Sequence, residues 1–126
     1  MKHNPGFLNL VNEARTRVRE CSVADVKDRR DRQESFHFID VREDHEYQAD
    51  HALGATHLGK GIIERDIESR IPDKEAPIVL YCGGGFRSVL AAENLQKMGY
   101  RNVISMDGGI KAWREAGYPM EKGTQP

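Results

Sequence analysis

Cys82 and Arg87 are the residues of this chain whose types and spacing could do chemistry. Between them stand Gly83, Gly84, Gly85 and Phe86, and Ser88 follows. Three glycines in succession let a backbone turn tightly and aim its N–H groups inward, since no side chain stands in the way. A thiol at the base of such a turn would sit in a small anion-binding bowl. The bowl has a plausible frame. Ile78-Val79-Leu80-Tyr81, just after Pro77, is the apolar run of a strand covered on both faces, and residues 88–95 carry apolar positions at helical spacing. Cys82 would then lie at the carboxyl end of a strand and the amino end of a helix, where α/β sheets bind ligands and where the helix dipole favours an anion. Dipole and Arg87 together favour thiolate chemistry at Cys82. The plainer alternative is a structural cysteine capping a strand.

The remaining elements are those that must position this turn. Phe7, Leu8, Val11, Ala14 and Val18 fall near three-and-four spacing and predict an amphipathic helix over residues 7–20, after a patternless lead-in. That helix would cover its own sheet or a partner subunit. Ser22 with Asp25 three residues later forms a capping signal for a short helix to about Arg30. Residues 36–42 read as a strand ending in Asp40 and Arg42, residues 43–51 as a short helix, and residues 55–58 as a weak strand. Ile63, Ile67 and Ile71 recur along one helix face before Pro72. Residues 102–106 predict the last strand. Asp107-Gly108-Gly109 turns it into a helix that Gly117 and Pro119 terminate. Strands alternating with helices predict an α/β fold, a parallel sheet with helices on both faces. The organisation expected is a helical extension over residues 1–21, one domain over 22–119 and a polar tail over 120–126.

Composition narrows the partners. The chain has 126 residues, enough for one core and short for two. Its 19 Lys and Arg against 20 Asp and Glu leave a formal charge of −1, which argues against a nucleic-acid or membrane partner. The mixed-sign run from Lys27 to Arg32 reads as a solvated face. No signal peptide or membrane span is evident, so a cytoplasmic location is expected. Neither of the two cysteines has metal-ligand spacing, and Cys21, with no glycine turn beside it, reads as structural or incidental. No metal or other cofactor is expected.

Taken together, Ile39-Asp40-Val41-Arg42-Glu43, Glu46-Tyr47, the segment from His51 to Leu58, the loop from Cys82 to Arg87, and Asp107-Gly108-Gly109 through Trp113 to Pro119 resemble a single-domain rhodanese. Several motifs in one order make the resemblance specific. It implies a rhodanese-like fold with about five parallel strands between helices, and sulfurtransferase activity through a cysteine persulfide. Residue by residue it implies that Cys82 is the nucleophile and that Gly83, Gly84, Gly85, Phe86, Arg87 and Ser88 hold the transferred sulfur. Arg87 would meet an anionic donor such as thiosulfate. Asp40 and Arg42 would support the floor of the site, and Trp113 would pack. Cyanide or a thiol would be the acceptor, and a sulfur-donor protein is a further candidate partner. Where the family usually has a proline, this chain has Gly59-Lys60-Gly61. Lys60 is therefore a candidate second anion contact at the rim, against the simpler reading of a solvent-facing lysine.

Two rivals remain open. A cysteine and an arginine bracketing an anion loop also suit a cysteine phosphatase or arsenate reductase, but four intervening residues make a bowl better sized for one sulfur atom than for phosphate. A sulfur-relay module fed by a partner protein would need the same thiol and the same bowl.

Overall fold

The computed structural model describes residues 2–123. Helix α1 spans Pro5–Arg15, with proline in its first turn, where its missing N–H costs nothing. The chain then gives β1 (Arg19–Cys21), α2 (Val23–Asp31), β2 (His37–Asp40), α3 (Asp44–Ala49), β3 (His51–Ala52) and β4 (Thr56–His57). After these come α4 (Ile63–Arg70), β5 (Ile78–Tyr81), α5 (Arg87–Lys97), β6 (Val103–Met106), α6 (Gly109–Glu115) and β7 (Met120–Glu121). Ser22 caps α2 as its sequence signals, with both arms of the capping box made.

The main sheet has five strands in the order β1-β6-β5-β2-β4, and every pairing in it is parallel. Alternation along β5 sends its side chains to two separate cores. Ile78 and Leu80, with Cys82 beyond them, pack with Val11 and Ala14 of α1, Ile63 and Ile67 of α4, and Val89, Ala92 and Leu95 of α5. Val79 and Tyr81 pack on the other face with Val26 of α2, Phe38 of β2, and Ile110 and Trp113 of α6. Burial on both faces is what a continuous apolar strand requires, and it holds β5 in the middle of the molecule.

Two short strands depart from the sequence expectation. The helix expected to reach residue 20 stops at Arg15, and Arg19–Cys21 instead form an edge strand paired with Ile104, Ser105 and Met106 of β6. With two charged residues in three, this strand carries no alternation of its own and exists through its partner. Met120–Glu121, expected in a polar tail, pair antiparallel with β3. There Glu121 accepts from the Gly54 N–H and lies 3.0 Å from His51 Nε2. The remainder of that tail, residues 124–126, and Met1 of the lead-in lie outside the described residues. Among the described residues no helix is long and apolar enough to cross a membrane.

Candidate active site

Cys82 leaves the carboxyl end of β5 at the floor of a cleft of about 900 Å³. The residue is 1% exposed. The backbone N–H groups of Gly85 and Ser88 donate to Cys82 Sγ at 3.2 and 3.3 Å, and Ser88 Oγ lies 3.4 Å from the sulfur. Ser88 Oγ is in turn 2.8 Å from Ser105 Oγ, both residues being fully buried. Donors converging on one sulfur stabilise negative charge there. The N–H groups of Gly83, Gly84 and Phe86 have no hydrogen-bond partner among the described residues, which leaves them for a ligand.

The loop is held from outside by the Asp107-Gly108-Gly109 turn. The Ile110 and Lys111 N–H groups at the start of α6 donate to the carbonyls of Cys82 and Gly83 at 2.8 and 3.1 Å. Those carbonyls are engaged by α6, and the Gly83, Gly84 and Phe86 N–H groups have no partner among the described residues. Close approach explains the glycines. Gly85 has a φ of +100°, and a Cβ there would sit 2.9 Å from Gly108 N; a Cβ on Gly109 would collide with the Cys82 and Gly83 carbonyl oxygens.

Arg87 lines the same cleft, at the first position of α5. It does not face the cleft as a free charge. Its guanidinium donates to both carboxylate oxygens of Glu46, at 3.0 and 3.3 Å. This pairing holds the Glu46 carboxyl down at about 2 against an ordinary 4.5, the Arg87 hydrogen bond being the largest cause. The same Glu46 oxygen accepts from the Glu43 N–H and closes a capping box on α3. In the sequence Glu46 looks like one helix former among several, and nothing local signals a partner forty-one residues away.

Asp40 and Arg42 stand beside the loop without lining the cleft. The Arg42 backbone N–H, Nε and Nη2 all donate to the Asp40 carboxylate, between 2.8 and 3.1 Å. Arg42 Nη2 also donates to the Asp50 carbonyl at 2.7 Å, and Asp50 pairs with Arg114 of α6. The pair is buried, and the intervening Val41 N–H donates to the Tyr81 carbonyl, so it braces β2 against the strand carrying Cys82. Trp113 packs in the core and donates to the Pro119 carbonyl.

Lys60 is placed elsewhere. It is half-buried, its N–H donates to the Val41 carbonyl, and it is absent from the cleft lining. The lysine that lines the cleft is Lys111, with His45 and Glu115 nearby in the same lining. Backbone pairing beyond β4 directs the Gly59-Lys60-Gly61 segment along β2 and away from the bowl. Cys21 lies at the end of β1, and burial, its largest influence, pushes its thiol up to about 11.

The sequence matches the rhodanese-like domain family over residues 22–116. This chain belongs to the rhodanese family. Among curated relatives, the thiosulfate sulfurtransferase GlpE of Vibrio cholerae is 34% identical over 89 residues, covering 71% of this chain and 82% of that protein. The putative sulfur carrier protein YrkF of Bacillus subtilis is 31% identical over 102 residues, 81% of this chain, which spans about half of that longer protein (54%). Among solved structures, a protein of unknown function from Rhodopseudomonas palustris, described as a possible tyrosine phosphatase, superposes with a TM-score of 0.85 at 28% identity. The match covers 96% of this chain and 98% of that one. The kinship of this rhodanese is with rhodanese-type sulfurtransferases, and its sheet is the five-stranded parallel one that the resemblance implies.

Proposed function

We propose that this rhodanese transfers a sulfane sulfur through a persulfide on Cys82. In the first half-reaction the Cys82 thiolate attacks the outer sulfur of a donor such as thiosulfate. A Sγ–S bond forms, the donor S–S bond breaks, and its electron pair leaves with sulfite. In the second, cyanide or a thiolate attacks the outer sulfur of the persulfide, and the electron pair of the breaking Sγ–S bond returns to Cys82. Charge balances in both steps, and no cofactor enters.

The observation that carries this reading is the convergence of the Gly85 and Ser88 N–H groups on Cys82 Sγ, inside a loop whose Gly83, Gly84 and Phe86 N–H groups have no partner among the described residues. Fixed donors of this kind are worth about 3–4 kcal/mol each where they meet developing negative charge. Gly83 through Ser88 hold the bound sulfur in this scheme, and Asp40 with Arg42 positions the strand end and touches no substrate. Intact mass after incubation with thiosulfate tests it. Wild type gains one sulfur that cyanide discharges as thiocyanate, and Cys82→Ser gains none. No gain on folded, reduced wild type overturns thiosulfate as the donor.

A second reading, a relay loaded by a partner protein, is favoured by Glu46, which already answers the Arg87 charge that a free dianion would use. The sulfur-carrier name of the Bacillus relative points the same way. Slow loading by thiosulfate combined with fast loading from a protein persulfide would select it. The phosphatase reading calls for a wider bowl than four residues between Cys82 and Arg87 provide. Steady hydrolysis of an aryl phosphate ester, abolished in Cys82→Ser, would restore it.

A further inference from the structure

The cleft above Cys82 has a wall that sulfur transfer to cyanide does not need. His3, Phe7 and Phe86 line it together. Their ring centroids lie 4.4 Å apart for His3 and Phe86, 5.2 Å for His3 and Phe7, and 6.1 Å for Phe7 and Phe86, all with tilted planes. None of the three rings is fully buried, so each keeps surface toward the cleft. Phe86 belongs to the glycine loop itself. His3 and Phe7 come from the opposite end of the chain and lie outside the residues that match the family.

The wall is firmly mounted. Val11 and Ala14 anchor α1 in the core, which fixes Phe7 one turn before Val11. The Arg15 guanidinium stands 5.0 Å from the Phe86 ring centroid and 3.9 Å from Asp107, next to the turn that braces the loop. Size and polarity point the same way. A cleft of about 900 Å³ falls at the upper end of the range for organic ligands, and a small inorganic anion fills little of it. Arg87 is engaged by Glu46, so the aromatic face is the larger unspent resource beside the sulfur.

We propose that His3, Phe7 and Phe86 form a subsite for the organic body of the sulfur acceptor, a small thiol bearing an aryl or branched alkyl group. The inference rests on the persulfide reading of Cys82. The incoming thiolate attacks the outer sulfur of the persulfide while its apolar body packs on the three rings. A new S–S bond forms to the acceptor, the Sγ–S bond breaks, its electron pair stays on Cys82, and the acceptor departs as an organic persulfide.

Two measurements on a Cys21→Ser background test this. The first needs no sulfur transfer: alkylation of Cys82 by N-benzyl-iodoacetamide and by iodoacetamide, followed by intact mass. The subsite makes wild type favour the benzyl reagent over the ratio shown by free cysteine, and the ratio falls about fivefold in Phe7→Leu and in His3→Ala. The second compares kcat/KM for benzyl mercaptan with that for cyanide, and the same variants lower that ratio by a similar factor. Equal ratios in wild type and both variants overturn the subsite. Phe7→Leu retains apolar bulk at the α1 anchor, and His3→Ala lies ahead of the helix, so the pair separates a lost contact from a lost fold. Benzyl selectivity without any persulfide would sink the sulfur-transfer reading and leave the subsite. A persulfide without benzyl selectivity, even with fast transfer to a protein thiol, would do the reverse.

Discussion

Two neighbouring strands leave the main sheet side by side and end in opposite ways. β2 runs into Asp40-Val41-Arg42, where three donors of Arg42 close on one carboxylate and the pair is sealed from water. β5 runs into Cys82-Gly83-Gly84-Gly85, where carbonyls are claimed by α6 and several N–H groups have no partner among the described residues. The first end consumes its polar capacity internally and is structural. The second withholds it and is open to a ligand. Buried charge is therefore a poor guide to chemistry here, and unspent backbone donors beside a cysteine thiol are a better one.

The comparison can be broken at either end. The largest effect is expected at β5: Gly85→Ala forces a Cβ into the Gly108 backbone and displaces an N–H donor from Cys82 Sγ. Sulfur loading by the folded protein should fall by about two orders of magnitude, and the strained backbone at a φ of +100° should cost about 1–3 kcal/mol in unfolding. Loading at the wild-type rate would mean that the bowl is not what activates the sulfur. At β2 the outcome should invert. Asp40→Asn leaves the Arg42 charge buried without its carboxylate, and such losses cost roughly 3–5 kcal/mol in urea unfolding. The loading rate of the protein that remains folded should change much less. A rate loss without a stability loss would move Asp40 from support into the chemistry.

Glu46 joins the two regions and sharpens the contrast at smaller scale. Glu46→Gln keeps the α3 cap acceptor and releases Arg87, so KM for thiosulfate should fall severalfold, on the order of 0.5–1 kcal/mol. Because the folded state lowers the Glu46 pKa to about 2, its ion-pair contribution is complete above about 4.5 and is lost as pH falls through about 2. The stability gap between wild type and Glu46→Gln should therefore close on acidification and persist at neutral pH. A gap that grew toward low pH would contradict the pairing. The smallest effect belongs to Cys21. With its thiol pushed up to about 11, only about one part in a thousand is thiolate at pH 8. Cys21→Ser should leave sulfur transfer within twofold of wild type, and peptide mapping should find Cys21 alkylated slowly.

Much of this is legible in the sequence. Ile78-Val79-Leu80-Tyr81 gives its strand away by an uninterrupted apolar run, and the glycine triplet marks the only turn where Cys82 and a helix start coincide. Asp40 and Arg42 were readable as a pair because the partners are two residues apart. What stayed hidden depends on distant partners. Glu46 acquires its role only by meeting Arg87, and β1 and β7 are strands only because β6 and β3 supply the other half of each ladder. The lead-in carrying His3 has no period to betray it. The Gly59-Lys60-Gly61 departure from the family pattern points to Lys60, whereas the lysine in the cleft is Lys111, on a helix that the sequence marks only by its terminators.

The position of β5 in the sheet order has a consequence for how the protein fails. The strand bearing Cys82 is the third of five, flanked on each side by two others, and both cores close over it. Amide exchange in such a strand proceeds through opening of the whole molecule, while edge elements such as β1, β7 and the start of α1 can detach with far less free energy. Under the persulfide reading, fraying at the start of α1 would carry off His3 and leave Phe86 and the sulfur bowl in place, so a partly opened population would lose selectivity among acceptors before it lost the capacity to carry sulfur.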